Sequence, residues 1–168
     1  MERLELKNTL INLYKNNELT YSFDWRTLKD IWNYATIDDI EGINADYVDG
    51  LMSIILTTAS GQGGLVAVID TANNVLIHCH EGSFAIKVLI AEDKIITLYH
   101  IICYGNIPSY CVDCIGLKNT VLNEVSDSIK LPEGIEFNDE KVILALSGEK
   151  LTVRDDTNCI DIDISALM

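Results

Sequence analysis

Two textures of hydrophobic and polar residues divide the chain near residue 50. In the first, apolar residues recur at roughly helical spacing. Leu4, Leu6, Leu10, Ile11, Leu13 and Tyr14 suggest one apolar helix face, and Lys15-Asn16-Asn17 would end it. Asp24 is suited to cap a second helix, with Trp25, Leu28, Ile31 and Trp32 at i, i+3, i+6 and i+7. Residues 36–50 are acidic and only weakly periodic, and read as a short helical turn or a loop.

From Leu51 the spacing shortens to that of strands. Residues 52–58, 65–69, 75–80, 84–90 and 95–103 are apolar and rich in β-branched side chains. Turn residues such as Asp70-Thr71-Ala72-Asn73-Asn74 and Ala91-Glu92-Asp93-Lys94 separate them. The tail continues with candidate strands at 135–137, 142–146, 150–153 and 159–164. Ile160-Asp161-Ile162-Asp163-Ile164 alternates strictly, which predicts one buried and one wet face. These patterns predict an α+β protein forming a single domain over 1–168. A small, mostly helical N-terminal part (1–50) packs on an antiparallel β-meander body (51–168). Residues 51–102 resemble one blade of a WD-type β-propeller, and 135–164 part of another. The Trp-Asp and Gly-His pairs are missing, and a closed propeller needs more blades, so the resemblance implies meander texture only.

Composition sharpens the functional reading more than the fold. The chain has 168 residues, 48% of them hydrophobic, and a net charge of −14. That length suits one domain that folds without a metal or disulfide. Residues 30–86 contain no lysine or arginine but eight acids: Asp30, Asp38, Asp39, Glu41, Asp46, Asp49, Asp70 and Glu81. Such a field attracts basic partners and repels nucleic acid and anionic membranes, so neither of the latter two is expected as a partner. No secretory pattern opens the chain, and its apolar runs fall far short of the ~20 residues that span a bilayer. With an odd number of cysteines, five, the expectation is a cytoplasmic protein with reduced thiols.

Catalytic chemistry finds little support. His78 and His80 would share a strand face, and with the C-x-x-C pair Cys111 and Cys114 they could form a His₂Cys₂ zinc site. The spacing matches no compact zinc module, and a buried cysteine between two partly exposed histidines is the plainer reading. As a redox pair the cysteines lack a following helix, and Asp113 between them disfavours thiolate. Ser60-Gly61-Gln62-Gly63-Gly64 lacks the lysine and the helix that a phosphate loop requires. The pairs Asp38-Asp39 and Asp155-Asp156 lack calcium-loop spacing, and there is no nucleophile elbow. The expectation is a protein that is not an enzyme and holds no cofactor.

The acidic stretch differs because aromatics accompany it. Trp25, Trp32, Tyr34 and Tyr47 lie within or beside it, and such pairings are the usual composition of interface anchors. The predicted partner-binding residues are Asp38, Asp39, Glu41, Asp46 and Asp49, with Tyr34 or Tyr47 as anchor. In character rather than in any motif, the chain resembles the immunity proteins of bacterial polymorphic-toxin and contact-dependent growth inhibition systems. That resemblance implies an inhibitor of a basic, nuclease-type toxin domain encoded next to it. The inhibitor's carboxylates would take the place of phosphates and block the toxin's active site. The alternatives are a non-enzymatic scaffold or regulatory β domain and, third, a zinc or thiol protein.

Overall fold

The computed structural model describes residues 1–30, 40–58, 64–82, 84–101, 109–117 and 128–167. These residues form fourteen strands in four antiparallel sheets, with no α-helix among them, so the expected α+β class is corrected to all-β. The predicted first helix is a three-stranded meander of β1 (Glu2–Lys7), β2 (Leu10–Lys15) and β3 (Glu18–Asp24). Its turns explain the error. Asn8, Asn16 and Asn17 have φ of 56°, 51° and 68°. Asparagine tolerates this left-handed region well and closes tight hairpins there. The reversals leave segments of six or seven residues, too short for a stable isolated helix. The apparent helical face is two strands superimposed. Leu4 pairs with Leu13 and Leu6 with Ile11. Ile11 and Leu13, two apart, are buried, whereas Leu6 and Leu10 are 49% and 38% exposed.

The second predicted helix is a 3-10 helix of six residues, Trp25–Asp30. Asp24 caps it as expected, its Oδ1 accepting the Arg26 N–H at 3.1 Å. Trp25 and Leu28 are both buried, consistent with the three-residue period of this helix type. Ile31 and Trp32 lie outside the described residues. The segment read as turn or loop contains a further strand, β4 (Ile40–Val48).

The fold divides into two compact units, Met1–Glu81 and Gly82–Met168. In the first, β4 is followed by β5 (Leu51–Thr58), β6 (Gly64–Asp70) and β7 (Val75–Gly82), in sheet order β4-β5-β6-β7. This sheet and the β1-β2-β3 sheet share one core. Ile11 and Leu13 meet Trp25 and Leu28, Met52, Ile54 and Leu56 from β5, and Leu65, Ala67 and Ile69 from β6. The alternate residues Ser53, Ile55, Val66 and Val68 are buried as well, which is why β5 and β6 read as unbroken apolar runs. The change of texture at Leu51 therefore marks a hairpin turn inside this unit. Asp49 and Gly50 make that turn, at φ 49° and 89°.

The second unit runs β8 (Phe84–Ala91), β9 (Lys94–Ile101), β10 (Ser109–Gly116) and β11 (Ser128–Lys130), in order β11-β10-β9-β8. The meander anticipated over 51–102 thus splits between β7 and β8 into two sheets. A three-stranded sheet follows: β12 (Ile143–Ser147), β13 (Lys150–Arg154) and β14 (Cys159–Asp163). Ile96, Leu98, Tyr110, Val112, Leu144, Leu151, Val153 and Ile162 lie in its core. Along β14, Ile162 is buried and Asp161 and Asp163 are exposed, as the alternation requires. Residues 135–137, expected as a strand, are irregular. Phe137 is nevertheless buried, and its N–H donates to the Tyr110 hydroxyl at 3.2 Å.

Candidate functional site

In the first unit a cleft of about 450 Å³ opens where the two sheets meet at their turns. The three-stranded sheet supplies Glu2, Leu13, Lys15, Thr20 and Tyr21. The other sheet supplies Tyr47, the Asp49-Gly50 turn, and Thr71-Ala72 from the β6–β7 turn. Side-chain bonds brace its rim. Thr71 donates to the Gly50 carbonyl twice, from its N–H at 3.0 Å and its hydroxyl at 2.9 Å. Asp70 Oδ1 accepts the N–H groups of Ala72 and Asn73 at 2.9 and 3.1 Å. The Tyr21 hydroxyl donates to Asn74 Oδ1 at 2.7 Å, tying β3 to that same turn.

A single cation sits among these groups. Lys15 Nζ lies 3.1 Å from Glu2 Oε1 and 5.2 Å from the centroid of the Tyr47 ring. Tyr47 first, then Glu2, hold the Lys15 ammonium above its usual range. Burial, then the Asp70 charge, push the Tyr21 phenol up. Asp49 lines the cleft and forms no ion pair among the described residues. The lining therefore carries two carboxylates against one ammonium.

Of the seven predicted partner-binding residues, the structure brings Tyr47 and Asp49 into this cleft. Asp46 and Glu41 are exposed on the same strand, β4, but line no part of it. Tyr47 is partly buried against the core, and Asp46 Oδ1 accepts its N–H at 2.8 Å. Glu41 lies at an irregularity in register, where Gly42 faces Thr57. A Cβ at Gly42 would stand 2.2 Å from the Thr57 hydroxyl, so this kink requires glycine unless Thr57 shifts. Tyr34, Asp38 and Asp39 lie outside the described residues. Sequence reasoning missed Glu2, Lys15, Tyr21 and Thr71. The helix expected over the first residues hid the first two, and Asp70-Thr71 registered only as a turn. A usable signal was present: Lys7-Asn8-Thr9-Leu10 is a hairpin motif, and the β1–β2 register it closes places Lys15 opposite Glu2.

The histidine and cysteine candidates have structural surroundings. His78 and His80 alternate with Cys79 on β7 and are 1% and 7% exposed, so the expected partial exposure is corrected to burial. Burial, then nearby His80, lower His78 to about 4. Cys111 and Cys114 lie three apart on β10, and a strand's two-residue period turns them to opposite faces. Cys114 faces the core with Tyr110 and Val112, whereas Cys111 shares the other face with Asp113. Burial, then Asp113, push the Cys111 thiol up to about 11, the reverse of what a nucleophile or metal ligand needs. Among the described residues no group of three or more His, Cys, Asp or Glu is placed to hold a metal ion. Ser60 to Gly63 of the glycine-rich segment lie outside the described residues. Asp155 accepts the N–H groups of Asn138, Thr157 and Asn158 at 2.7, 2.7 and 2.6 Å, and Asp156 pairs with Lys141, so this acidic pair is occupied within its own unit. No protein-family model, curated protein or solved structure matches the chain.

Proposed function

We propose that the chain is an acidic protein-binding inhibitor, of the kind it resembles in character: an immunity protein that neutralises a basic toxin domain. One observation carries this reading. β4 ends its sheet, and it and its turn expose Glu41, Asp46 and Asp49, none of which pairs with a base among the described residues. Carboxylates neutralised in place have little field left for a partner. Those on β4 keep theirs, and a strand at a sheet edge is open to approach from one side. A toxin that binds nucleic acid presents lysines and arginines where phosphates dock, and exposed carboxylates can occupy the same positions.

The test is association kinetics with the C-terminal domain encoded by the adjacent upstream reading frame. Wild type is compared with Glu41→Gln/Asp46→Asn at low and physiological salt. Charge acting at the rim governs association more than dissociation, and its reach shrinks to ~8 Å at physiological ionic strength. The expected result is a several-fold slower association for the double variant and a steep salt dependence for wild type. Salt-independent association, unchanged in the variant, would remove β4 from the interface. If no basic domain binds, the inhibitor reading gives way to a scaffold or regulatory role.

A further inference from the structure

Lys15 already occupies part of the cleft in the manner of a ligand. Its ammonium rests near the Tyr47 ring and against the Glu2 carboxylate, an arrangement that binds alkylammonium and guanidinium groups elsewhere. Space remains beyond it. The volume lies within the range of roughly 300–1,000 Å³ of ligand pockets. Asp49 lines that space with no base of its own among the described residues. An anion entering would meet Glu2 and Asp49, and the one ammonium there is already engaged. A metal ion would find no group of three ligands among the described residues. An organic cation meets aromatic surface and an uncompensated carboxylate together. The walls are also braced in advance, because Thr71, Asp70 and Asn74 are spent on holding the two turns and β3. Little ordering is then left for a ligand to cost.

We infer that this cleft is a recognition site for an organic cation, an alkylammonium or guanidinium group, seated against Tyr47 and Asp49 beside Lys15. Resting on the reading that the chain binds a basic protein, the cation is a lysine or arginine side chain of that partner. It would be the desolvated anchor that complements the rim charges of β4. Lys15 is then a resident competitor, which lowers affinity and keeps the cleft filled when the partner is absent.

The competitor makes the site testable in both directions. The probes are agmatine and spermidine as free amines, and terminally blocked Gly-Arg-Gly and Gly-Lys-Gly peptides for a side-chain source. Each is titrated into the ¹⁵N-labelled full chain. The expected result is saturable shifts confined to the amides of Tyr47, Asp49, Gly50 and Thr71, from the peptides as well as the amines. Asp49→Asn should weaken binding several-fold without disturbing the turn, since asparagine accepts a left-handed φ as readily as aspartate. Lys15→Met should strengthen it several-fold. Lys7→Met, on β1 and exposed, makes the same change in charge outside the cleft and sets the baseline. Non-saturating shifts spread over all the acids, or Lys15→Met no tighter than Lys7→Met, would overturn the site. Saturation by free amines but not by peptides would overturn the partner side chain as its occupant. Neither result bears on the rim: slower association of Glu41→Gln/Asp46→Asn alone would leave the inhibitor reading standing without this anchor.

Discussion

Among the described residues, Met1–Glu81 and Gly82–Met168 are built alike: seven strands each, in one three-stranded and one four-stranded antiparallel sheet that share a core. They also carry the same net charge. Twelve acids face five bases in the first, and fourteen face seven in the second. What differs is how the acids are used. In the second unit Glu133 pairs with Lys130 and Asp161 with Lys150, both at 2.7 Å. Asp156 pairs with Lys141, and Asp155 takes up three backbone N–H groups. Among the described residues its exposed acids without an ion pair are scattered, for example Glu92, Asp93 and Glu140 in turns, Glu136 in an irregular segment and Asp163 on β14. In the first unit Glu2, Glu5 and Asp24 are paired. Among the described residues Glu18 on β3 and Asp70 at the end of β6 also form no ion pair, but three others, Glu41, Asp46 and Asp49, gather on one edge strand and its turn, beside an aromatic cleft. Net charge is therefore a poor guide to an interface, and the pairing of individual carboxylates is a better one.

The largest expected effect tests whether the units are also separate in stability. Trp25→Ala should cost about 3–5 kcal/mol and Leu151→Ala about 2–5 kcal/mol, because each empties a filled core. Native-state hydrogen exchange should show lost protection in β2, β5 and β6 for the first variant and in β10, β12 and β13 for the second. Equal loss throughout the chain from either substitution would make the two units one cooperative structure.

A second difference lies in His78. Its charged form is disfavoured in the fold, with a pKa of about 4 against 6.5 for the ordinary side chain. The unfolded chain binds a proton through pH 6.5 while the folded chain resists until about 4. The stability that the neutral histidine allows is fully present above pH 6.5 and is lost as the pH falls towards 4. The loss amounts to roughly 3 kcal/mol. Urea midpoints of wild type and His78→Gln across pH 4–7 should diverge in slope over that window. Parallel slopes would show that His78 contributes nothing to it.

Smaller effects separate the cleft from an ordinary turn. Gly50 and Gly148 have φ of 89° and 62°, and an added Cβ meets nothing within 4 Å at either. Alanine should cost about 1 kcal/mol at each, from backbone strain alone. Only Gly50→Ala should also weaken amine binding; an equal effect of Gly148→Ala would detach that binding from the cleft. The smallest shifts concern the acids themselves. Asp161→Asn loses its ion pair with Lys150, keeps an acceptor for the Thr152 hydroxyl, and should lower the melting temperature slightly. Glu41→Gln/Asp46→Asn should leave it unchanged or raise it, because neither acid has an ion pair to lose among the described residues and an amide oxygen can still accept the Tyr47 N–H. A drop equal to that of Asp161→Asn would show that the β4 acids are paired after all.

By itself the sequence determined the strands from Leu51 to Ile101 and three of the four expected in the tail, residues 135–137 being irregular. Their β-branched alternation and turn residues encode a two-residue period locally. It also determined the Asp24 cap, the buried Trp25 and Leu28, and the placement of acid along residues 30–86. It misjudged the first fifteen residues, because strands of six residues are too short to separate periods of 2 and 3.6. Asparagine turns at Asn8 and Asn16-Asn17 decide between them, and they do so through a backbone conformation that composition does not display. Cys111 and Cys114 make the same point: adjacent on a helix, they face apart on β10. Only the tertiary structure decided that Lys15 meets Glu2 and Tyr47, that Thr71 locks to Gly50, and that Asp49 pairs with no base among the described residues. Those relations join β1, β2, β4 and two distant turns, and no local pattern specifies which carboxylate among many finds a cation.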